Sequence, residues 1–348
     1  MKRVFMLPAG GFNRVFPGNT FAADFADKRR FNNFLLSVLI CVISGYAFCP
    51  PSFGRSINDG IGTTGFVWLK AVSDAEVSAA GECIAARDGT AGILVHPASI
   101  VTGVDRGTVK LSYVSHFVDT QYGSIGYANK IKDRYMGVRV TYVNYGDFIA
   151  TNSSGDRTGS FTAGDMGISF NIGKQPRDDL KIGATVSYLT SKIQDFTAQA
   201  ATLDLGAIYT PPFEGLTVGA MLMNVGKVLS GYSSSYTDKL PLFLTVGVRK
   251  SLRHSPFSLM ADVTFPNDSD ISFAFGVEAN VNDRFFLYGG TRSRSDVDVL
   301  SQKSKTNFSG VRTMGFGLNL DRYRFNYAYC PNNDLDNVHK ITLSAQIF

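Results

Sequence analysis

The sequence predicts an all-β protein, a 14-stranded antiparallel transmembrane β-barrel with an N-terminal plug segment. Three observations predict it. Segments from about residue 107 onward alternate apolar and polar residues with a period of two, and the connections between them differ in length in a regular order. After residue 47, no apolar run approaches the length of a membrane-spanning helix. Together these features indicate a chain that crosses a membrane with strands.

Composition and charge exclude several other classes. The 348 residues are 44% apolar and 12% aromatic with 35 Gly and 4 Cys, which is outside the range of disordered, collagen-like and disulfide-rich chains. The net charge of +5 comes mainly from the first 47 residues, since the remainder carries 28 basic and 27 acidic residues. We therefore expect no nucleic-acid partner. Because no metal-ligand, nucleotide-binding or catalytic motif occurs, we also expect no enzyme activity and no cofactor.

The first 47 residues have the pattern of a leader that includes a signal peptide. Lys28, Arg29 and Arg30 precede an apolar stretch over residues 34–43, and residues 45–47 form a small-x-small cleavage site. The apolar stretch of residues 34–48 is shorter than the roughly 20 residues that a membrane span needs. An uncleaved anchor is the alternative interpretation.

The strand pattern is clear in Met166, Ile168 and Phe170, which alternate with glycine and serine. Such alternation is typical of strands with one apolar and one polar face. Taken in order, the predicted strands cover residues 107–117, 121–131, 134–145, 160–172, 179–191, 198–210, 215–225, 241–252, 256–265, 270–281, 284–294, 310–320, 322–329 and 338–348. An even number of antiparallel strands can close a barrel without a free edge in lipid.

The lengths of the connections predict the orientation. The long polar connections, residues 146–159, 226–240 and 295–309, are all odd-numbered, whereas every even-numbered connection is a short turn. Outer-membrane barrels have short periplasmic turns and longer external loops, so we expect both termini in the periplasm. A soluble β-sandwich is the alternative, because two odd-numbered connections are also short.

The segment before the first strand has a different composition. Residues 60–104 are rich in small residues and lack the period of two, and they are too polar to cross lipid. We expect residues 48–104 to form a periplasmic N-terminal and plug segment, followed by the outer-membrane barrel at residues 105–348. Within the plug we single out Trp68, His96 and Pro97, and we expect Trp68 to pack against the barrel wall.

Aromatic residues among polar neighbours occur in all three long connections. They are Phe148, Tyr232, Tyr236 and Phe308. Exposed aromatic anchors in a polar surround are typical of protein-binding surfaces. These four residues are therefore candidate partner-binding residues.

Several motifs resemble one family. FVWLKAVSDAEVSAAG (residues 66–81), AARDGTAGILVHPASI (85–100) and LSYVSHFVDTQYGSIGYANKI (111–131) are similar to the PorV/PorQ family of FadL-like outer-membrane barrels, and most to its PorQ branch. The resemblance spans residues 60–348. Relatives commonly have Asn-Pro-Ala where this chain has His96-Pro97-Ala98.

The resemblance implies a non-enzymatic outer-membrane component of the type IX secretion system. Such a component would work with partners resembling PorU, PorV and PorZ to attach secreted cargo to the cell surface. The alternative function is a FadL-like transporter of hydrophobic molecules across the outer membrane. A transporter needs an apolar path and an interruption in the wall, and the strand alternation alone indicates neither.

Overall fold

The computed structural model describes residues 55–56, 63–89, 93–104, 107–116, 120–233, 238–298, 303–331 and 337–347; of residues 55–56, 294–298 and 303–311 it describes the backbone alone. The predicted leader, residues 1–47, lies outside the described residues. No helix in the described part of the chain is long and apolar enough to cross a membrane.

The predicted barrel is confirmed strand by strand. Each barrel strand pairs antiparallel with the next one along the chain, and the last strand pairs with the first, so the sheet closes. The barrel strands are β2 (Thr108–Ser115), β3 (Gln121–Ile131), β4 (Arg134–Thr151), β5 (Arg157–Arg177), β6 (Leu180–Ile193), β7 (Phe196–Tyr209), β8 (Leu216–Ser230), β9 (Phe243–Ser251), β10 (Phe257–Pro266), β11 (Ser272–Asn280), β12 (Phe285–Asp298), β13 (Lys303–Leu320), β14 (Tyr323–Cys330) and β15 (Val338–Gln346).

The two faces of the wall differ as the alternation predicts. Large apolar side chains such as Leu111 and Val186 point outward and are 46% and 58% exposed. Polar side chains such as Lys110, Asp204 and Asp262 point inward and are buried. A lipid-facing exterior and a polar interior follow from this arrangement.

The prediction that residues 146–159 and 295–309 form long loops is wrong. The β4–β5 and β12–β13 hairpins continue as paired strands far into residues 146–159 and 295–309, with Phe148 opposite Phe161 and Val297 opposite Ser304. The polar composition suggested loops, but the two strands of each hairpin satisfy each other's backbone groups and need no further sheet. The connection after β8 is not a continuous hairpin in its described residues, 231–233 and 238–242.

The chain before β2 forms short elements. They are β1 (Arg55–Ser56), a 3₁₀ helix (Val67–Lys70), the α-helix α1 (Ala75–Ala79) and a second 3₁₀ helix (Pro97–Val101). We call residues 63–89 and 93–104 the N-terminal segment. Most of its side chains are buried.

The ends of this region lie at different ends of the barrel. Residues 55–56 pair with Lys303 and Ser304, at the hairpin tip of β13. At the other end, the N–H of Ile347 donates to the carbonyl oxygen of Gly107 at 2.7 Å, next to the start of β2. The N-terminal segment runs along the barrel between residues 55–56 and β2, and the periplasmic location of both termini stays a prediction.

Candidate functional site

The backbone of the N-terminal segment lies directly against inward-facing glycines of the wall. A Cβ on Gly219 would lie 1.7 Å from the carbonyl oxygen of Ala85, and one on Gly290 would lie 2.1 Å from the amide nitrogen of Gly81. No side chain fits at such distances, so only glycine allows this contact. The same close approach to the segment occurs at Gly183, Gly206, Gly276 and Gly315.

Buried ion pairs join the segment to the wall. Glu76 of α1 contacts Arg87 at 3.1 Å and Arg324 at 3.0 Å, and Arg87 also contacts Glu278 at 3.0 Å. Burial raises the pKa of Glu76, but the charges of Arg324, Arg87 and Lys110 outweigh it and hold the pKa below its usual value. Removing one member of such a buried set typically costs about 3–5 kcal/mol, because its partner is left unpaired.

Two aspartates satisfy backbone N–H groups of the segment. Asp74 caps α1, since the N–H groups of Glu76 and Val77 donate to its Oδ1, and it forms an ion pair with Lys110 of β2. Asp262 of β10 points inward and accepts from the N–H groups of Ile84 and Ala85 at 2.6 and 2.8 Å. The wall therefore supplies hydrogen bonds that the segment cannot make within itself.

His96 and Pro97 begin the second 3₁₀ helix. The N–H of Ala98 donates to Nδ1 of His96 at 3.1 Å, and Pro97 is the first helical residue. His96 is 1% exposed, and burial lowers its pKa to about 4, so the ring is neutral at pH 7 and Nδ1 can accept. Nδ1 of His96 thus has the acceptor role that an asparagine oxygen has at an N-cap.

Trp68 lies in an apolar cluster inside the wall. We call this the upper apolar cluster; it consists of Phe66, Trp68, Val143, Leu189, Ala198, Ala200, Val228 and Leu240. Trp68 is 8% exposed, and its ring lies against Gly167 of β5. Tyr232 packs against the same cluster, and its hydroxyl donates to Oγ of Ser191 at 2.5 Å. The side chain of Tyr232 is half-buried and turned toward Ser191, and its role in partner binding stays a prediction.

Of the four candidate partner-binding residues, the structure describes the side chains of Phe148 and Tyr232. Phe148 lies in β4, is 40% exposed and stacks on Phe161 with ring centroids 5.3 Å apart. Phe308 lies in β13, where the structure describes only its backbone. Tyr236 lies outside the described residues.

A cavity of about 50 Å³ lies beside Trp68. Its apolar walls include Leu94, Leu189 and Met223, and its polar walls include Arg139 and Asp204. A second cavity, of about 20 Å³, shares Leu94, Arg139 and Asp204 with the first. The larger cavity lies between the N-terminal segment and strands β3–β8, and the smaller one between the segment and strands β3–β7.

The β8–β9 ladder ends next to the larger cavity, where β9 begins at Phe243. The β8–β9 ladder ends at the pair Met223–Phe243, although β8 continues to Ser230 and stays paired with β7. Asn224 has a φ of 62°, and its Nδ2 donates to the carbonyl oxygen of Pro241 at 2.9 Å. Met223 and Asn224 both line the cavity. Residues 240–242 thus stand where β9 would otherwise continue the wall.

Comparison with known proteins identifies the fold. No family model matches the chain, and no curated protein matches it. The toluene transporter TodX of Pseudomonas putida is similar at a TM-score of 0.57 and 13% identity, over 79% of this chain and 98% of that one. The toluene transporter TbuX of Ralstonia pickettii gives 0.56 and 13% over 80% and 99%, and the monoaromatic hydrocarbon channel CymD gives 0.58 and 10% over 79% and 97%. This chain has the fold of FadL-type outer-membrane barrels.

We predict that Gly290→Ala loosens the N-terminal segment, because the new methyl group would meet the backbone of Gly81. Overpacking of this kind costs about 1–3 kcal/mol. The matched control is Gly289→Ala, since that neighbouring position has nothing within 4 Å of an added Cβ. Thermal unfolding followed by heat-modifiable gel mobility, together with limited proteolysis of residues 63–104, measures the effect. Equal stability and equal proteolysis of the two variants would contradict it.

Proposed function

We propose that this chain is an outer-membrane channel for small hydrophobic molecules, plugged by its N-terminal segment and open sideways between β8 and β9. The observation that carries the proposal is the end of the β8–β9 ladder at Met223, beside the larger cavity. We infer that an apolar molecule passes into the membrane beside β8, beyond the end of this ladder, a place that the strand alternation alone does not indicate.

The surroundings of the gap fit an apolar passenger. The upper apolar cluster lies at the hairpin end of β4–β8, and Trp68 and Leu189 belong both to it and to the cavity lining. The rest of the lumen holds paired charges such as Glu76 with Arg324, which do not form an open pathway for ions. The similar solved structures, TodX, TbuX and CymD, are transporters and channels of toluene or monoaromatic hydrocarbons.

The cavity size requires side-chain movement during passage. Its volume of about 50 Å³ is well below the roughly 150 Å³ of an engineered cavity that holds benzene. Leu240 is the side chain best placed to move, because it is 7% exposed, packs in the upper apolar cluster and precedes Pro241 at the gap. We propose that residues 240–242 form the gate.

A second candidate function is favoured by the β4–β5 hairpin. Beyond the pairs Gln121–Asn144 and Ala163–Ile193 this hairpin has no neighbouring strand among the described residues, and Phe148 and Phe161 stack on it. Such an aromatic pair on a projecting ribbon suits a docking surface. On this proposal the chain is a component of a type IX secretion system, with partners resembling PorU, PorV and PorZ, and its short-turn end lies in the periplasm.

For the channel, we predict that Leu240→Ala increases the entry of an apolar dye several-fold, because the gate loses its main side chain. The measurement is the rate of N-phenylnaphthylamine fluorescence in intact cells with a complete lipopolysaccharide layer. The control is Leu244→Ala, which removes a leucine of β9 that is 41% exposed on the outer face. Heat-modifiable mobility establishes that both barrels are folded. Identical dye entry for both variants and for cells without the protein would refute the channel.

For the docking surface, we predict that Phe148→Ala combined with Phe161→Ala weakens recovery of partners resembling PorU, PorV and PorZ. Two aromatic anchors of modest strength correspond to about a tenfold loss of affinity. The measurement is quantitative co-purification from native membranes, with Ser153→Ala at the hairpin turn as control. Undiminished recovery with the double variant would exclude this surface.

A further inference from the structure

Two side chains that line the larger cavity each have a buried N–H donor without an acceptor. Nε1 of Trp68 and Nε of Arg139 have no hydrogen-bond partner among the described residues, and both side chains line the cavity. The Trp68 side chain is more than nine-tenths buried, at 8% exposure. An unsatisfied buried donor typically costs about 1–3 kcal/mol, so two of them on one small cavity indicate a site for an acceptor group.

The charges on the cavity indicate that the acceptor group is neutral. Arg139 donates from Nη2 to Oγ of Ser169 at 3.2 Å and carries the positive charge of the site. Asp204 lines the same cavity, and its Oδ1 accepts from the N–H of Asn224 at 2.7 Å. An anion would therefore meet the Asp204 carboxylate, and a cation would meet the Arg139 guanidinium. One arginine and one aspartate give the lining a net charge of zero, which favours neither an anion nor a cation.

The size and the apolar walls define the rest of the molecule. A volume of about 50 Å³ holds on the order of three or four water-sized groups, which is enough for a carbonyl with its substituents but not for an aromatic ring. Leu94, Leu189 and Met223 cover the apolar side, and Met223 stands at the end of the β8–β9 ladder. An apolar tail attached to the bound group therefore has its exit at the gap.

We propose that this cavity binds the neutral, oxygen-bearing head group of a hydrophobic molecule, such as a ketone or ester carbonyl, which accepts hydrogen bonds from Nε1 of Trp68 and Nε of Arg139. The proposal rests on the channel function proposed above and names its substrate class. It assigns oxygenated apolar molecules, rather than bare hydrocarbons or carboxylates, to this barrel.

The test uses Trp68, the only tryptophan of the chain, as its own reporter. Purified barrel in detergent is titrated with methyl butyl ketone, hexane and hexanoate, which have the same number of carbon atoms. We expect the ketone to change the Trp68 emission with an affinity at least about tenfold higher than that of hexane, which is the contribution of one or two net hydrogen bonds. Hexanoate is expected to bind no more tightly than hexane.

A variant separates hydrogen bonding from apolar contact. Arg139→Met keeps an unbranched side chain but removes one of the two donors, so ketone affinity falls several-fold toward that of hexane while hexane affinity stays the same. The control is Arg249→Met, because Arg249 points inward but lines neither cavity. Heat-modifiable mobility establishes that both variants fold.

Several outcomes overturn the proposal. Equal affinities for ketone and hexane would show that no acceptor is recognised, and tighter binding of hexanoate would show an anion site. If none of the three probes changes the Trp68 emission, the cavity is a void left by imperfect packing and not a binding site. These failures are distinct from failure of the channel, because dye entry through the Leu240 variant does not depend on the head group that the cavity binds.

Discussion

The structure depends on one steric constraint, the absence of side chains on the inner wall where the N-terminal segment runs. At Gly219 and Gly290 the two backbones are so close that even a methyl group would collide. This closeness lets Asp262 reach the N–H groups of Ile84 and Ala85, and lets Oγ1 of Thr313 accept from the N–H of Gly81 at 3.0 Å. The segment is therefore hydrogen-bonded to the wall as a part of the fold.

The buried charges follow from the same constraint. Inward-facing polar residues of a barrel would otherwise face water, and the segment brings them partners such as Glu76 for Arg324 and Asp74 for Lys110. Because these pairs are desolvated, each is costly to break singly, and together they fix the segment in one position. On the proposed function, the moving part is then the short stretch at residues 240–242 and not the segment as a whole.

The sequence predicted the features that depend on local pattern. Alternation located all fourteen barrel strands, because burial of one face imposes the period of two on each strand separately. Small residues and the missing period set the N-terminal segment apart from the strands. The inward glycines were visible as scattered glycines within strands, but their contacts with residues far along the chain were not.

The features that sequence missed depend on long-range pairing. Polar residues near Phe148 suggested a loop, yet the hairpin stays paired because its two strands hydrogen-bond to each other. The place where β9 stops pairing with β8 depends on Asn224 and Pro241, two residues in different elements that meet only in the fold. The hydrogen bond from Tyr232 to Ser191 joins residues 41 positions apart. No pattern in the sequence near Tyr232 predicts it.

Hydrogen exchange of the backbone amides measures how firmly the wall holds the N-terminal segment. We expect the amides of Gly81, Ile84 and Ala85 to exchange as slowly as those in the middle of the barrel strands, because their acceptors are buried side chains of the wall. Residues 152–156, in an exposed turn, provide the fast reference. Exchange of the three amides at the rate of that turn would show that the segment is not held by the wall, and would contradict the account.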